Sequence, residues 1–262
     1  LHHKTKTPCY ISMCRLTDVT RSSSGIAELG ASIRKGCITE TVRLLSTPSS
    51  GITWDRNGVH EQIFSGQKSS SPVLTLSHTG PCGTETLNAV LRRKHHGGSK
   101  LLWKSTLTLT PGDPVVAIEN KKAYYNGQRG VVAAAGVDGV LVVCSGAEIP
   151  IVIPSTDLRL GYCCTIHSAQ GAEFEDGMVI IACAPGSGHH RMLSREALYT
   201  AVTRFRSSLT LNCSLETLEK CVSTTQLCTN REQEYTGGYS VLFDDFVWTY
   251  IIVRPVSSLR SG

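Results

Sequence analysis

The six residues Val179-Ile-Ile-Ala-Cys-Ala184 form an apolar run without a polar interruption. A strand of that kind has no solvent face, so it must lie inside a covered sheet, and parallel sheets are where such strands occur. A shorter run of the same type stands at residues 73–76. It leads through Thr79-Gly-Pro-Cys-Gly83 into a helix predicted over residues 84–93, with Leu87, Val90 and Leu91 on one face. Strand, loop and helix in this order are the repeating unit of α/β folds.

Other segments agree with that class. Residues 22–36 read as a helix. Ser22, Ser23 and Ser24 are candidate caps, Ile26, Leu29 and Ile33 share a face, and Gly36 can stop it. A second helix is expected from Ser194 as its cap, with Glu196 in the positive first turn and Leu198 and Val202 on one face. The end of this helix is expected to carry Arg204 and Arg206, and residues 209–211 read as another short strand. Between these parts the pattern changes. From Gly112 to Leu160 the apolar groups fall into short runs separated by Asn126-Gly127, residues 136–139 and Ser145-Gly146. Four or five short strands at that spacing predict a small antiparallel barrel or meander inserted into the α/β unit.

Composition narrows the function classes. The 262 residues carry 26 Lys and Arg against 21 Asp and Glu, a net charge of +5 that permits a polyanionic partner. No run of about 18 apolar residues offers a membrane span. The first ten residues hold His2, His3, Lys4 and Lys6 with no apolar block, so no signal peptide is expected there. The 11 cysteines include no Cys-x-x-Cys, which argues for free thiols in a reducing compartment and against a zinc site. The start at Leu1 suggests a piece of a longer protein.

Three segments concentrate polar chemistry beside glycine. Thr165-Ile-His-Ser-Ala-Gln-Gly-Ala-Glu-Phe174 places Thr165, His167, Gln170 and Glu173 in a stretch expected to be buried or half-buried. Gly171 there allows a ligand to approach the backbone closely. Leu198-Tyr-Thr-Ala-Val-Thr-Arg-Phe-Arg206 offers guanidinium groups, whose planar forks suit a transferring phosphoryl group or, more plainly, a helix end. Thr20-Arg21-Ser22-Ser23 puts a third arginine just before a helix start.

The first of these segments resembles motif V of superfamily 1 helicases, and Leu198-Tyr-Thr-Ala-Val-Thr-Arg204 resembles their motif VI. The resemblance is to the RecD-like group. It extends to Gly80-Pro-Cys-Gly-Thr-Glu-Thr-Leu-Asn88, Gly112-Asp-Pro-Val-Val116, Asn126-Gly-Gln-Arg-Gly130 and Leu158-Arg-Leu-Gly-Tyr162, in the family's order. It implies a C-terminal, second RecA-like motor domain: a parallel sheet flanked by helices with a small SH3-like β-barrel insertion. The implied division is 11–111 and 161–225 for the RecA-like domain, 112–160 for the insertion, and an unassigned tail at 226–262.

The resemblance also implies roles. Arg204 and Arg21 fall where the family's catalytic arginines meet the γ-phosphate, although Ser22 follows Arg21 where the family usually has glutamine. Glu173, with Gly171 and Gln170, falls near the nucleotide. Thr165, His167, Thr79 and Asn126 fall on the nucleic-acid side. No metal ligand is implied. ATP and Mg2+ are the implied cofactors, held mainly by an N-terminal P-loop domain, because G-x-x-x-x-G-K-[ST] does not occur in this chain. Val241-Leu-Phe-Asp-Asp245 mimics a strand followed by magnesium-binding carboxylates and reads as coincidence. The function implied is the motor half of an ATP-dependent 5′-to-3′ DNA helicase acting on single-stranded DNA. It would be inactive alone, away from membranes, and cytoplasmic, or nuclear in a eukaryotic or viral setting. A viral-type superfamily 1 RNA helicase fragment and a non-catalytic nucleic-acid-binding module are the alternatives.

Overall fold

In the computed structural model, residues 23–48, 51–59, 61–96, 109–135, 139–146, 149–182 and 192–225 are described. Arg21 and Val241-Leu-Phe-Asp-Asp245 lie outside them. Five strands, β1 (Ile52–Asp55), β2 (Val73–Thr75), β8 (Cys163–Thr165), β9 (Phe174–Ile180) and β10 (Phe205–Asn212), form one sheet. Its order is β1-β10-β9-β2-β8, and every pairing is parallel. The central apolar run therefore lies where its composition put it, but β9 begins at Phe174 and ends at Ile180, earlier than residues 179–184 suggested.

Alternation across the pleat divides the core in two. Leu74, Cys164, Val179, Leu209 and Leu211 face helices α1 (Ser24–Lys35), α2 (Ile38–Ser46), α4 (Arg195–Val202) and α5 (Leu215–Ser223). Val73, Cys163, Met178 and Ile180 face the other way, against Leu87 and Leu91 of α3 (Thr84–His96) and against Phe64. The adjacent Cys163 and Cys164 thus belong to opposite cores. In α1, Ile26, Leu29 and Ile33 are wholly buried, and Gly36 ends the helix in the left-handed conformation at φ 71°. Ser23 is its N-cap residue, without a side-chain capping bond.

Residues 114–160 build a second, antiparallel sheet of β3 (Pro114–Ala117), β4 (Arg129–Ala135), β5 (Val140–Cys144), β6 (Ile151–Ile153) and β7 (Leu158–Leu160), in the order β6-β5-β4-β3-β7. Val115, Ala117, Val132, Val140, Val142 and Ile153 turn inward to a core of their own. Neither Val115 nor Val140 enters the parallel sheet.

The root of this insertion is polar and buried. Asp113, fully buried, accepts from Arg92 Nε at 3.2 Å and from the Thr110 N–H at 2.6 Å on one oxygen. Its other oxygen accepts from the Tyr162 hydroxyl at 2.7 Å and lies 3.0 Å from His96 Nε2. Entry residues, exit residue and α3 are thereby tied to one carboxylate. Burial and that carboxylate push the Tyr162 phenol far above its usual range.

Candidate nucleotide and nucleic-acid site

At the amino ends of β9 and β10 the chain gathers its arginines. The Ser194 hydroxyl accepts from the Ala197 N–H at 3.1 Å and starts α4, with Glu196 in the first turn. The helix ends at Val202, two residues before Arg204. Arg204 donates from Nε to the Thr200 carbonyl at 3.1 Å and from Nη1 to the Ala172 carbonyl at 3.2 Å. Its own carbonyl accepts from the Phe174 N–H at 2.9 Å. One side chain therefore joins the end of the Leu198–Arg204 segment to the end of the Thr165–Phe174 segment.

Arg206 does not sit at the helix end, where the sequence suggested it. It is the second residue of β10: Phe205 turns fully inward, and alternation sends Arg206 to solvent, where it pairs with Glu173. The Arg206 carbonyl accepts from the Ser23 N–H at 2.7 Å, which brings the approach to α1 to this same edge.

A second group stands at the carboxyl edge. Thr75 and Thr165 are register partners at the ends of β2 and β8. The Thr165 hydroxyl is buried, donates to Ser168 Oγ at 2.9 Å and accepts from the Ser168 N–H at 3.1 Å. His167, Gln170 and Glu173 are exposed, contrary to the expectation of burial. The turns after β8 aim Ile166 and Ala169 inward, and the polar residues between them consequently face out. Gly171 has φ 84° and open space where a Cβ would stand, so its backbone is approachable.

Thr79 is exposed on the neighbouring loop, which winds tightly onto α3. A Cβ on Gly83 would meet the His78 and Thr79 carbonyls at 2.5 Å. The Ser77 and His78 carbonyls occupy the N–H groups of Thr84 and Glu85, at 3.0 and 3.1 Å. Those helix N–H groups are thus already satisfied, and the loop is no phosphate cradle. Asn126 lies apart, exposed on the turn between β3 and β4, its N–H donating to Asn120 Oδ1 at 2.9 Å.

Three residues important to this arrangement carried little sequence signal. Asn88 donates to the Cys163 carbonyl and accepts from its N–H, both at 2.9 Å, and so holds β8 against α3. A polar residue beside Leu87 and Leu91 on the apolar face of α3 was the available clue. Asp113 and Arg129 sit in blocks that resemble the family, but their partners are remote in sequence. Among the described residues no group of three His, Cys, Asp or Glu could hold a metal ion, and no helix is long and apolar enough to cross a membrane.

A parallel sheet with helices on both faces is an α/β fold of the RecA-like kind. Residues 160–211 match the UvrD-like helicase C-terminal domain. Over 143 residues the chain is 34% identical to the ATP-dependent RecD2 DNA helicase of Deinococcus radiodurans, covering 51% of this chain and 19% of that protein. It is 30% identical over 138 residues to the RecBCD enzyme subunit RecD of Mycolicibacterium smegmatis, covering 52% and 24%. In fold it is similar to Bacteroides Pif1 bound to ssDNA, with a TM-score of 0.53 at 16% identity over 80% of this chain and 54% of that one. The chain thus spans about a fifth to a quarter of these sequence relatives. It is similar to the C-terminal motor domain of RecD-like superfamily 1 helicases.

Proposed function

We propose that this chain is the C-terminal motor half of an ATP-dependent helicase that moves 5′ to 3′ on single-stranded DNA. The observation that carries the reading is the grouping of Arg204, the Glu173–Arg206 pair and the approach to α1 at one sheet edge. In this reading Arg204 and Arg21 act on the γ-phosphate of ATP, and Glu173, Gly171 and Gln170 border the nucleotide. Thr165, His167, Thr79 and Asn126 meet the strand, and the antiparallel sheet is an SH3-like insertion. Phosphate cradling and Mg2+ ligation belong to a P-loop domain, which supplies most of the positioning that phosphoryl transfer needs. The carbonyls of Thr200 and Ala172 orient the Arg204 fork.

The test is made in the protein that joins this chain to its P-loop domain. Arg204→Ala lowers kcat by about 10³-fold or more and leaves strand affinity without nucleotide unchanged. Arg204→Lys rescues poorly, because a point charge does not reproduce the planar fork. If Arg204 only neutralises the end of α4, turnover stays normal and stability falls by about 0.3–1 kcal/mol. Competition between oligo(dT) and oligo(U) separates a DNA from an RNA track. Strand binding without strand-stimulated ATP turnover in the joined protein would leave a non-catalytic binding module.

A further inference from the structure

One side chain of the insertion grips both flanks of the loop that carries Thr165 and His167. Arg129, the first residue of β4, donates from Nη2 to the Gly161 carbonyl at 2.7 Å, two residues before β8. Its Nη1 lies 3.6 Å from Cys164 Sγ, the residue before Thr165. The same guanidinium stands 5.3 Å from the centre of the Phe174 ring, where β9 begins. Residues 165–173 are therefore bracketed by contacts to a single guanidinium from another sheet. Arg129 follows directly on the turn that exposes Asn126 and Tyr125, the latter 62% accessible. It also sits in strand register with Val116, so the insertion's own ladder fixes its backbone.

We propose that Arg129 is a positioning residue: through it the insertion sets the placement of the 165–173 loop. The guanidinium suits this work, since a planar fork can serve a carbonyl, a sulfur and a ring face at once, whereas an ammonium cannot. The loop's own bonds are few. They are Ala169 N–H to the Thr165 carbonyl at 3.0 Å, Gln170 N–H to His167 at 3.1 Å, Ala172 N–H to Ala169 at 3.1 Å and the local Thr165–Ser168 bonds. Arg129 adds a hold on both flanks to these bonds and to the Ala172 and Phe174 bonds with Arg204. The role of the loop as a strand contact rests on the function proposed above; the mechanical hold does not.

Amide hydrogen exchange and strand binding on the full 262-residue chain test this with Arg129→Lys and Arg129→Met. In both variants exchange at Ala169, Gln170, Ala172 and Phe174 should rise roughly tenfold, the scale of one lost charge-assisted hydrogen bond. Amides of the β1–β10 and β4–β5 ladders should keep their wild-type protection. Affinity for fluorescein-labelled oligo(dT) should fall while its log–log slope against salt stays unchanged. Unchanged protection of residues 169–174 in Arg129→Lys, which keeps the charge and most of the stem, overturns the proposal. So does a rise spread evenly over both sheets. A salt slope smaller by about one, with protection intact, would make Arg129 a phosphate contact instead. Wild-type chain that fails to bind oligo(dT) would refute the strand-binding reading, and the exchange comparison would still decide the hold.

Discussion

Replacing Asp113 probes the root of the insertion, and the expected cost can be worked from its partners. The carboxylate is fully buried; Arg92 Nε, the Thr110 N–H and the Tyr162 hydroxyl donate to its two oxygens, and His96 Nε2 lies 3.0 Å away. Asp113→Asn keeps the shape. Its amide oxygen can face Arg92 and the Thr110 N–H, which can only donate, while its NH₂ faces Tyr162 and His96, which can turn acceptor. The loss is then mainly the charge assistance to Arg92, about 1.5–3 kcal/mol. Asp113→Ala leaves the Arg92 side chain, 19% exposed, without its counter-charge and strands the Thr110 N–H, while the Tyr162 hydroxyl keeps only its 2.9 Å contact with His96 Nε2. That removal costs about 3–5 kcal/mol. Urea unfolding midpoints with a common m-value measure both. Each kcal/mol corresponds to roughly 2–4 °C in Tm for a domain of this size. An alanine variant no less stable than the asparagine one, or a loss below about 1 kcal/mol for alanine, would refute the reasoning, because the network would then carry no net stabilisation.

Three further outcomes follow from the same geometry. Burial, with Lys94 and His96 nearby, lowers the His95 pKa below its usual value, and its Nε2 is buried without a hydrogen-bond partner. The unfolded chain then takes up a proton near pH 6.5 that the folded chain refuses, so Tm should fall as pH drops from neutral through that value. His95→Phe keeps a ring to stack on Tyr162 and should flatten the profile. None of the seven described cysteines is in a disulfide; burial raises the pKa of Cys82, Cys144, Cys163, Cys164 and Cys213, whereas Cys37 is exposed. Mass spectrometry after brief iodoacetamide treatment of the native chain should therefore find Cys37 labelled well ahead of those five. Gly177→Ala would drive a Cβ against the Phe205 ring and to 2.5 Å from the Pro72 carbonyl, so chemical denaturation should show a loss of about 1–3 kcal/mol.

The parts of the fold legible in the sequence are those whose burial is continuous or strictly periodic. Val179 and Ile180 have apolar neighbours on both faces, and Ile26, Leu29 and Ile33 have one clear face, so pattern alone located β9 and α1. β10 was underestimated because Arg206, Ser207 and Ser208 precede Leu209 and hide a strand whose polar residues sit at its exposed start. β1 and α2 gave no signal. β1 has four residues and is held by its ladder to β10, and α2 starts from Cys37 with no side-chain cap. α5 was equally silent, although Ser214 caps it through the Thr217 N–H. In the site, local spacing pointed to Thr165 and Arg204. The contacts that orient them come from Ser168, Ala172 and Thr200, and only folding brings Ala172 to Arg204. Arg129 and Asp113 were illegible for the same reason. Their partners lie 32 and 35 residues away for Arg129 and 21 and 49 for Asp113.

The two groups of candidate residues stand at opposite ends of one sheet, and the segment that joins them has little slack. Thr165 ends β8 level with Ile180, since both are register partners of Thr75, while Phe174 begins β9 at the far edge. The eight residues 166–173 must run back along the length of β9, roughly 20 Å at the usual strand rise. Part of their reach is already consumed by turns closed through Thr165, His167 and Ala169. While those turns stay closed the segment has little spare length. Its far end is fastened to Arg204 twice, through the Ala172 carbonyl and the Phe174 N–H. In the proposed motor residues 166–173 would join the strand-contacting residues to Arg204. Lengthening the link tests that role: two glycines inserted after Gly171 in the joined protein should leave strand binding without nucleotide near normal, lower basal ATP turnover and abolish the ratio by which the strand stimulates it. Stimulation that survives the insertion would mean that the coupling runs elsewhere.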